Sequence, residues 1–211
     1  MKENEVRAEL EEIRRLMDSS TRFLSLSGAS GIWIGLTALM GVAAMLIFQR
    51  EILFTSGYFE KMQLEDTEIT QHLIQLFTVV AVAIILLSLF LAVVLTVKRT
   101  GNASWVLWST PAKRLWINLM IPLMAGGVFC MILMSHRLTG LLVPSTLIFY
   151  GLALVNASKY TFKDLRSLGL IEISLGLVAA INIEYGLVFW VIGFGLLHIV
   201  YGWIMRNRYE K

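Results

Sequence analysis

Glu172 and His198 each interrupt a long apolar run. They hold the same place in two similar octets, GLIEISLG (Gly169 to Gly176) and GLLHIVYG (Gly195 to Gly202). Each octet reads Gly-Leu-aliphatic-ionisable-Ile-x-x-Gly. On a helix, Gly169 and Gly176 stand at i−3 and i+4 of Glu172, and Gly195 and Gly202 stand at the same offsets from His198. Such a face of small residues lets another helix close over the ionisable group. A carboxyl and an imidazole in apolar surroundings can handle a proton or bind a substrate, and groups of this kind tend to be functional. They can equally make one interhelical hydrogen bond that fixes how two helices pack. At 1.5 Å per residue, Glu172 lies roughly 9 Å along its helix from Arg166, and His198 roughly 12 Å from Arg206. A tight hairpin would therefore bring both groups to a similar depth.

Other chemistry is sparse. His72 and His136 fall at the far ends of their apolar runs, a membrane thickness from His198, so no haem bridge and no cofactor is expected. Cys130 is the single cysteine, which excludes an intramolecular disulfide, and no Cys/His metal spacing exists. No HExxH, GxSxG or P-loop pattern occurs. Gly28-Ala29-Ser30-Gly31 matches the G-x-S-G of rhomboid intramembrane proteases over four residues. Ser30 opens its apolar run instead of lying deep inside it, so it reads as a small packing residue. Asn102-Ala-Ser and Asn156-Ala-Ser fit the glycosylation triplet but fall on the inner side. No enzyme chemistry is expected.

The elements that must position Glu172 and His198 follow from composition. Of 211 residues, 57% are hydrophobic and 16% charged, with a mean hydropathy of +0.72. A soluble domain of this length could not hide that much apolar surface. Six runs are long enough to span a bilayer. They are Ser27 to Phe48, His72 to Val97, Leu115 to Met134, Thr139 to Asn156, Leu165 to Ile183 and Tyr185 to Met205. The expected fold is all-α: a polytopic bundle of six transmembrane helices over residues 23–205, with a short tail at 206–211. Residues 1–22 read as a cytoplasmic amphipathic helix, with Val6, Leu10, Ile13 and Met17 on one stripe. No cleavable leader is expected in this charged segment.

Gly31 and Gly35 form a GxxxG pair on the first span, suited to close helix packing like the glycines of the two octets. The second span, rich in Val, Ile and Leu, is expected to face lipid. Ser109 or Thr110 before Pro111 marks a helix start, Pro122 with Gly126-Gly127 a bend, and Thr161-Phe-Lys-Asp164 a capping box. The last two spans are joined so tightly that they form an antiparallel hairpin.

Of the 18 Lys and Arg residues, only Arg50, Lys61 and Arg137 fall on one side of this topology. The positive-inside rule then puts both termini in the cytoplasm of a bacterial inner membrane. The same asymmetry accounts for the pI of about 9.1 without a nucleic-acid partner. Lys159, Lys163 and Arg166 could hold an anionic lipid head group. Expected partners are membrane lipids, a second copy through glycine-bearing faces, and a cytoplasmic partner through residues 1–22.

Three stretches resemble an uncharacterised family of small six-span bacterial membrane proteins: IRRLMDSSTRFLSLSG (Ile13 to Gly28), PSTLIFYGLALVNASKYT (Pro144 to Thr161) and the hairpin with LGLIEISLGL and FWVIGFGLLHIVYG. The glycine-spaced octets also resemble the repeats of HdeD-type acid-resistance membrane proteins. Neither likeness brings an activity or a functional residue. The reading is a non-enzymatic inner-membrane protein acting through lipid or protein contacts. The alternative is a small transporter or proton-coupled channel using Glu172 and His198.

Overall fold

A computed structural model describes residues 23, 27–48 and 68–209. The amphipathic segment 1–22 and most of the acidic loop after the first span lie outside the described residues. Within them the chain is all-helical. α1 covers Gly28–Phe48, α2 Glu68–Thr100, α3 Ala103–Trp108 and α4 Thr110–Ser135. A 3-10 turn leads into α5, Leu142–Ala157, and another 3-10 turn precedes α6, Asp164–Ile181. The last helix opens as a 3-10 turn and α7 (Gly186–Trp190). It widens into a π-helical stretch at Val191–Leu197 and ends as α8 (His198–Tyr209).

Among the described residues, four segments are long and apolar enough to cross a membrane: Thr78–Thr100, Thr110–Ser135, Thr139–Tyr160 and Ile183–Tyr209. Six were expected. The apolar part of α1, Gly28–Ala44, is shorter, and the 18 residues of α6 include Asp164, Arg166 and Glu172. The last helix runs past Met205 to Tyr209, so the start of the expected tail is helical.

The local signals worked unevenly. Ser109 caps α4 by accepting from the Ala112 N–H, with Pro111 in the first turn, where a missing N–H costs nothing. The capping box at Thr161 does not form. The Thr161 hydroxyl donates instead to the Phe23 carbonyl at 2.7 Å, while the Phe23 N–H donates to the Tyr160 carbonyl. A long-range partner outcompetes the local one and pins the chain just before α1 onto the α5–α6 connection. Phe23 is buried there among Ala112, Leu115, Leu154, Ala157, Leu165 and Leu168.

Contacts run from α2 to α1, from α1 to the last helix, from the last helix to α5 and α6, and from α5 to α4. α2 leaves one flank uncovered, with Val79, Ile85, Leu86 and Phe90 exposed. Glycines line two close helix crossings. On α5 and α6, Gly151 meets Gly169, and Gly176 meets Ile148. On α1 and the last helix, Gly31 meets Gly202, while Gly35 meets the Gly195 carbonyl. Small residues at such crossings bring backbones together where lipid supplies no hydrophobic drive between helices. Each of the six glycines singled out for packing thus lies against a neighbouring helix. Gly127, by contrast, has nothing within 4 Å of where a Cβ would lie.

Between α4 and α5 the Asn156 amide donates to the Asn118 carbonyl at 2.9 Å and to its side-chain oxygen at 3.2 Å. Asn156→Leu should cost about 1 kcal/mol, the scale of interhelical hydrogen bonds in membranes. A small drop in melting temperature in detergent would register it, and an unchanged value would mean the bonds contribute nothing net.

Candidate functional site

The two octets do not close on each other. Gly169 and Gly176 lie against α5, whereas Gly195 and Gly202 lie against α1. Glu172 and His198 are nevertheless brought together, beside Gly193. A Cβ on Gly193 would sit 2.5 Å from Glu172 Oε2 and 2.7 Å from Leu147 Cδ2. A side chain there would have to displace the tips of Glu172 and Leu147, so glycine leaves the π stretch of the last helix against the acid without that shift. Glu172 Oε1 is then 3.6 Å from His198 Nδ1. That is within ion-pair reach and beyond hydrogen-bond reach.

His198 is held on both nitrogens. Nδ1 lies 2.9 Å from the Gly193 carbonyl oxygen, and Nε2 lies 2.7 Å from the Tyr150 hydroxyl. A carbonyl only accepts, so Nδ1 carries a proton and donates. In the neutral ring Nε2 then accepts from Tyr150. The Gly193 carbonyl belongs to the π-helical stretch, where the widened turn displaces backbone groups from their α-helical register. Single π turns inside helices recur at functional sites for this reason. Aromatic rings complete the wall: Phe194 stacks on His198 with centroids 5.9 Å apart, and Tyr150 and Trp190 each lie 4.9 Å from Phe194.

Glu172 differs from its neighbours. It is 0% exposed, and neither carboxyl oxygen has a hydrogen-bond partner. Leaving buried carboxyl oxygens without a partner costs free energy. Among the described residues no three His, Cys, Asp or Glu come together as a metal set.

The remaining sequence candidates lie elsewhere. Lys159, Lys163 and Arg166 are exposed around the α5–α6 connection, and Lys159 reaches only the Asn156 side chain, at 3.5 Å. Asp164 accepts from Arg208 at 3.1 Å and from the Tyr209 hydroxyl at 2.8 Å, which ties α6 to the end of the last helix. Arg99 donates to the Tyr209 carbonyl and adds the end of α2. Ser30 donates to the Ser27 carbonyl at 2.5 Å, a contact within its own first turn. His136 is exposed at the C-terminus of α4.

Tyr150 and Gly193 were not legible as site residues. Tyr150 reads in sequence as part of the polar group around Asn156 and Lys159, yet it turns to His198. Gly193 lies just outside the octet, and its one signal is its place in the VIGFG run. Fold and site together describe an all-helical protein with helices fit for a membrane and a polar cluster in its interior. No protein-family model, curated protein or solved structure matches the chain.

Proposed function

We propose that this chain is a six-span inner-membrane protein, both termini cytoplasmic, that works as a small proton-coupled transporter or channel through Glu172 and His198. α1 and α6 supply the spans beyond the four apolar ones. α6 qualifies because its acid is covered by neighbouring helices, and α1 because it lies along the last helix. The observation that carries the reading is Glu172, fully buried with both oxygens unpartnered and 3.6 Å from His198. Gly193, Leu147 and His198 close in on the carboxyl group, and a proton is the occupant that needs no further room. A hard cation would require several oxygen ligands, and the group at hand is one carboxyl.

Purified protein in liposomes with an imposed pH gradient should pass protons. Glu172→Gln and His198→Ala should each abolish that flux while the protein stays folded. Flux that survives both substitutions rules out the reading. A second reading, contact with lipid or a partner protein without transport, draws on the exposed apolar flank of α2. Folded wild-type protein that passes no protons would favour it, with Lys159, Lys163 and Arg166 as lipid head-group contacts and residues 1–22 as the segment facing a cytoplasmic partner.

A further inference from the structure

His198 Nδ1 stands between two acceptors. The Gly193 carbonyl oxygen lies 2.9 Å away and Glu172 Oε1 lies 3.6 Å away. The first is a hydrogen bond and the second is just out of range. The other end of the ring is anchored, with Nε2 2.7 Å from the Tyr150 hydroxyl. Phe194 stacks on the ring at an interplanar angle of 15°, a flat wall along which the ring can turn. Charge decides which acceptor wins. A protonated Glu172 is a neutral acceptor like the carbonyl, and the carbonyl is nearer. A carboxylate makes charge-assisted bonds roughly twice as strong as neutral ones. Glu172 is 0% exposed and His198 3%, so bulk water does not supply that bond. Bringing Nδ1 into range of Oε1 takes a shift of about 0.8 Å, given the usual length of such bonds. The carbonyl left behind belongs to the π-helical stretch Val191–Leu197. The His198 backbone N–H donates to the Gly195 carbonyl while its ring reaches back to Gly193, so one residue holds the stretch at two points. Taking the ring away removes one of them.

We propose that His198 is a proton-operated latch. It pivots on Tyr150, giving its Nδ1–H to the Gly193 carbonyl while Glu172 is protonated and to Glu172 while the acid is ionised, so that loss of the acid's proton releases the π stretch. The proposal rests on the reading of Glu172 and His198 as a proton site. It supplies what proton coupling needs, a backbone state tied to the charge of the acid. Nδ1 keeps its proton throughout, and only the acceptor changes. Tyr150 is a positioning residue: its hydroxyl donates to Nε2 and so keeps the ring proton on Nδ1. The titratable groups at the ring are Glu172 from α6 and Tyr150 from α5, with Tyr201 further along the last helix itself. α1, packed along the same helix, contains no titratable residue.

Gly193-Phe194 is the one Gly-Phe pair in the chain, so carbonyl-13C glycine combined with 15N-phenylalanine marks a single peptide group. Its carbonyl resonance, recorded on the full chain in lipid nanodiscs, reports the hydrogen bond on Gly193 and requires no transport. The resonance should move upfield as pH rises and Glu172 loses its proton, because the carbonyl loses a donor. Glu172→Met offers no oxygen and should lack that movement. A resonance that stays fixed over the whole pH range in which the protein is folded overturns the latch. So does one that moves as far in Glu172→Met. Labelled histidine tests the pivot, the His198 signals being those lost in His198→Gln. The neutral ring should carry its proton on Nδ1, and Tyr150→Phe should lose that single tautomer. A bare Nδ1 in the wild type, or an unchanged tautomer in Tyr150→Phe, overturns the proposal. If Tyr150→Phe fails to fold, fluorotyrosine at position 150 has nearly the same shape and a more acidic hydroxyl. It must then shift the Nε2 signal, and an unmoved signal overturns the proposal. Parallel flux measurements separate the two ideas. A moving Gly193 carbonyl without proton flux keeps the latch and removes transport. A fixed carbonyl with flux abolished by Glu172→Gln keeps transport and removes the latch.

Discussion

Replacing Glu172 by methionine should make the protein more stable and abolish proton flux. Both carboxyl oxygens are buried without a partner, and an unsatisfied polar group of this kind costs about 1–3 kcal/mol by mutational measures. Methionine has similar length and no polar oxygens, and its flexible thioether adapts to an irregular gap. His198 would not be orphaned, because its two nitrogens are held by Gly193 and Tyr150 and not by the acid. The gain is therefore expected on the scale of the relieved cost, seen as a higher melting temperature by circular dichroism in detergent. A buried residue that lowers stability in this way points to activity, the trade-off common at functional sites. Buried charged pairs replaced by apolar residues behave the same way elsewhere. A lower melting temperature would mean that the carboxyl holds helices together, and the packing explanation of Glu172 would then stand.

Gly169→Val should prevent α5 and α6 from closing. A Cβ at this position would lie 2.7 Å from the Gly151 carbonyl oxygen and 2.9 Å from the Val155 backbone nitrogen. Those are backbone atoms inside helices, which cannot turn aside as a side-chain tip can. Overpacking in a dense interior typically costs about 1–3 kcal/mol and sometimes more. The upper end is expected here, because Val adds two methyl groups beyond the Cβ. The Glu172 side chain is one turn away on the same helix, so the site would be lost with the crossing. Gly127→Val is the matched control, since nothing lies within 4 Å of a Cβ there. Size-exclusion profiles in detergent should show Gly169→Val aggregated or absent and Gly127→Val like wild type. Equal behaviour of the two variants would mean the α5–α6 crossing is not limiting for assembly.

Helix content and apolar character were legible because they depend on local hydropathy and length. Hydropathy windows found the apolar helices to within a few residues, and Ser109 with Pro111 marked the start of α4. The exposed flank of α2 goes with its lack of glycine and proline and its richness in Val, Ile and Leu. The Thr161 capping box failed because Phe23, far away in sequence, offered its hydroxyl a better partner. Glycine periodicity told which residues share a helix face. It did not tell which helix lies opposite, since a smooth face of small residues accepts any neighbour. The octets of α6 and the last helix look like partners by sequence, yet they serve α5 and α1 respectively.

By itself the sequence determined an all-helical chain with helices apolar enough for a membrane, and it singled out Glu172 and His198 as ionisable residues in apolar runs. Only the tertiary structure decided that the two approach to 3.6 Å. It also decided that Gly193 lies against the acid and that Tyr150 holds the imidazole. The reason is geometric. Helical period assigns residues to faces, but helix rotation is set by which backbones can come close. A π-helical stretch then shifts the faces of everything beyond it in a way no regular period foresees.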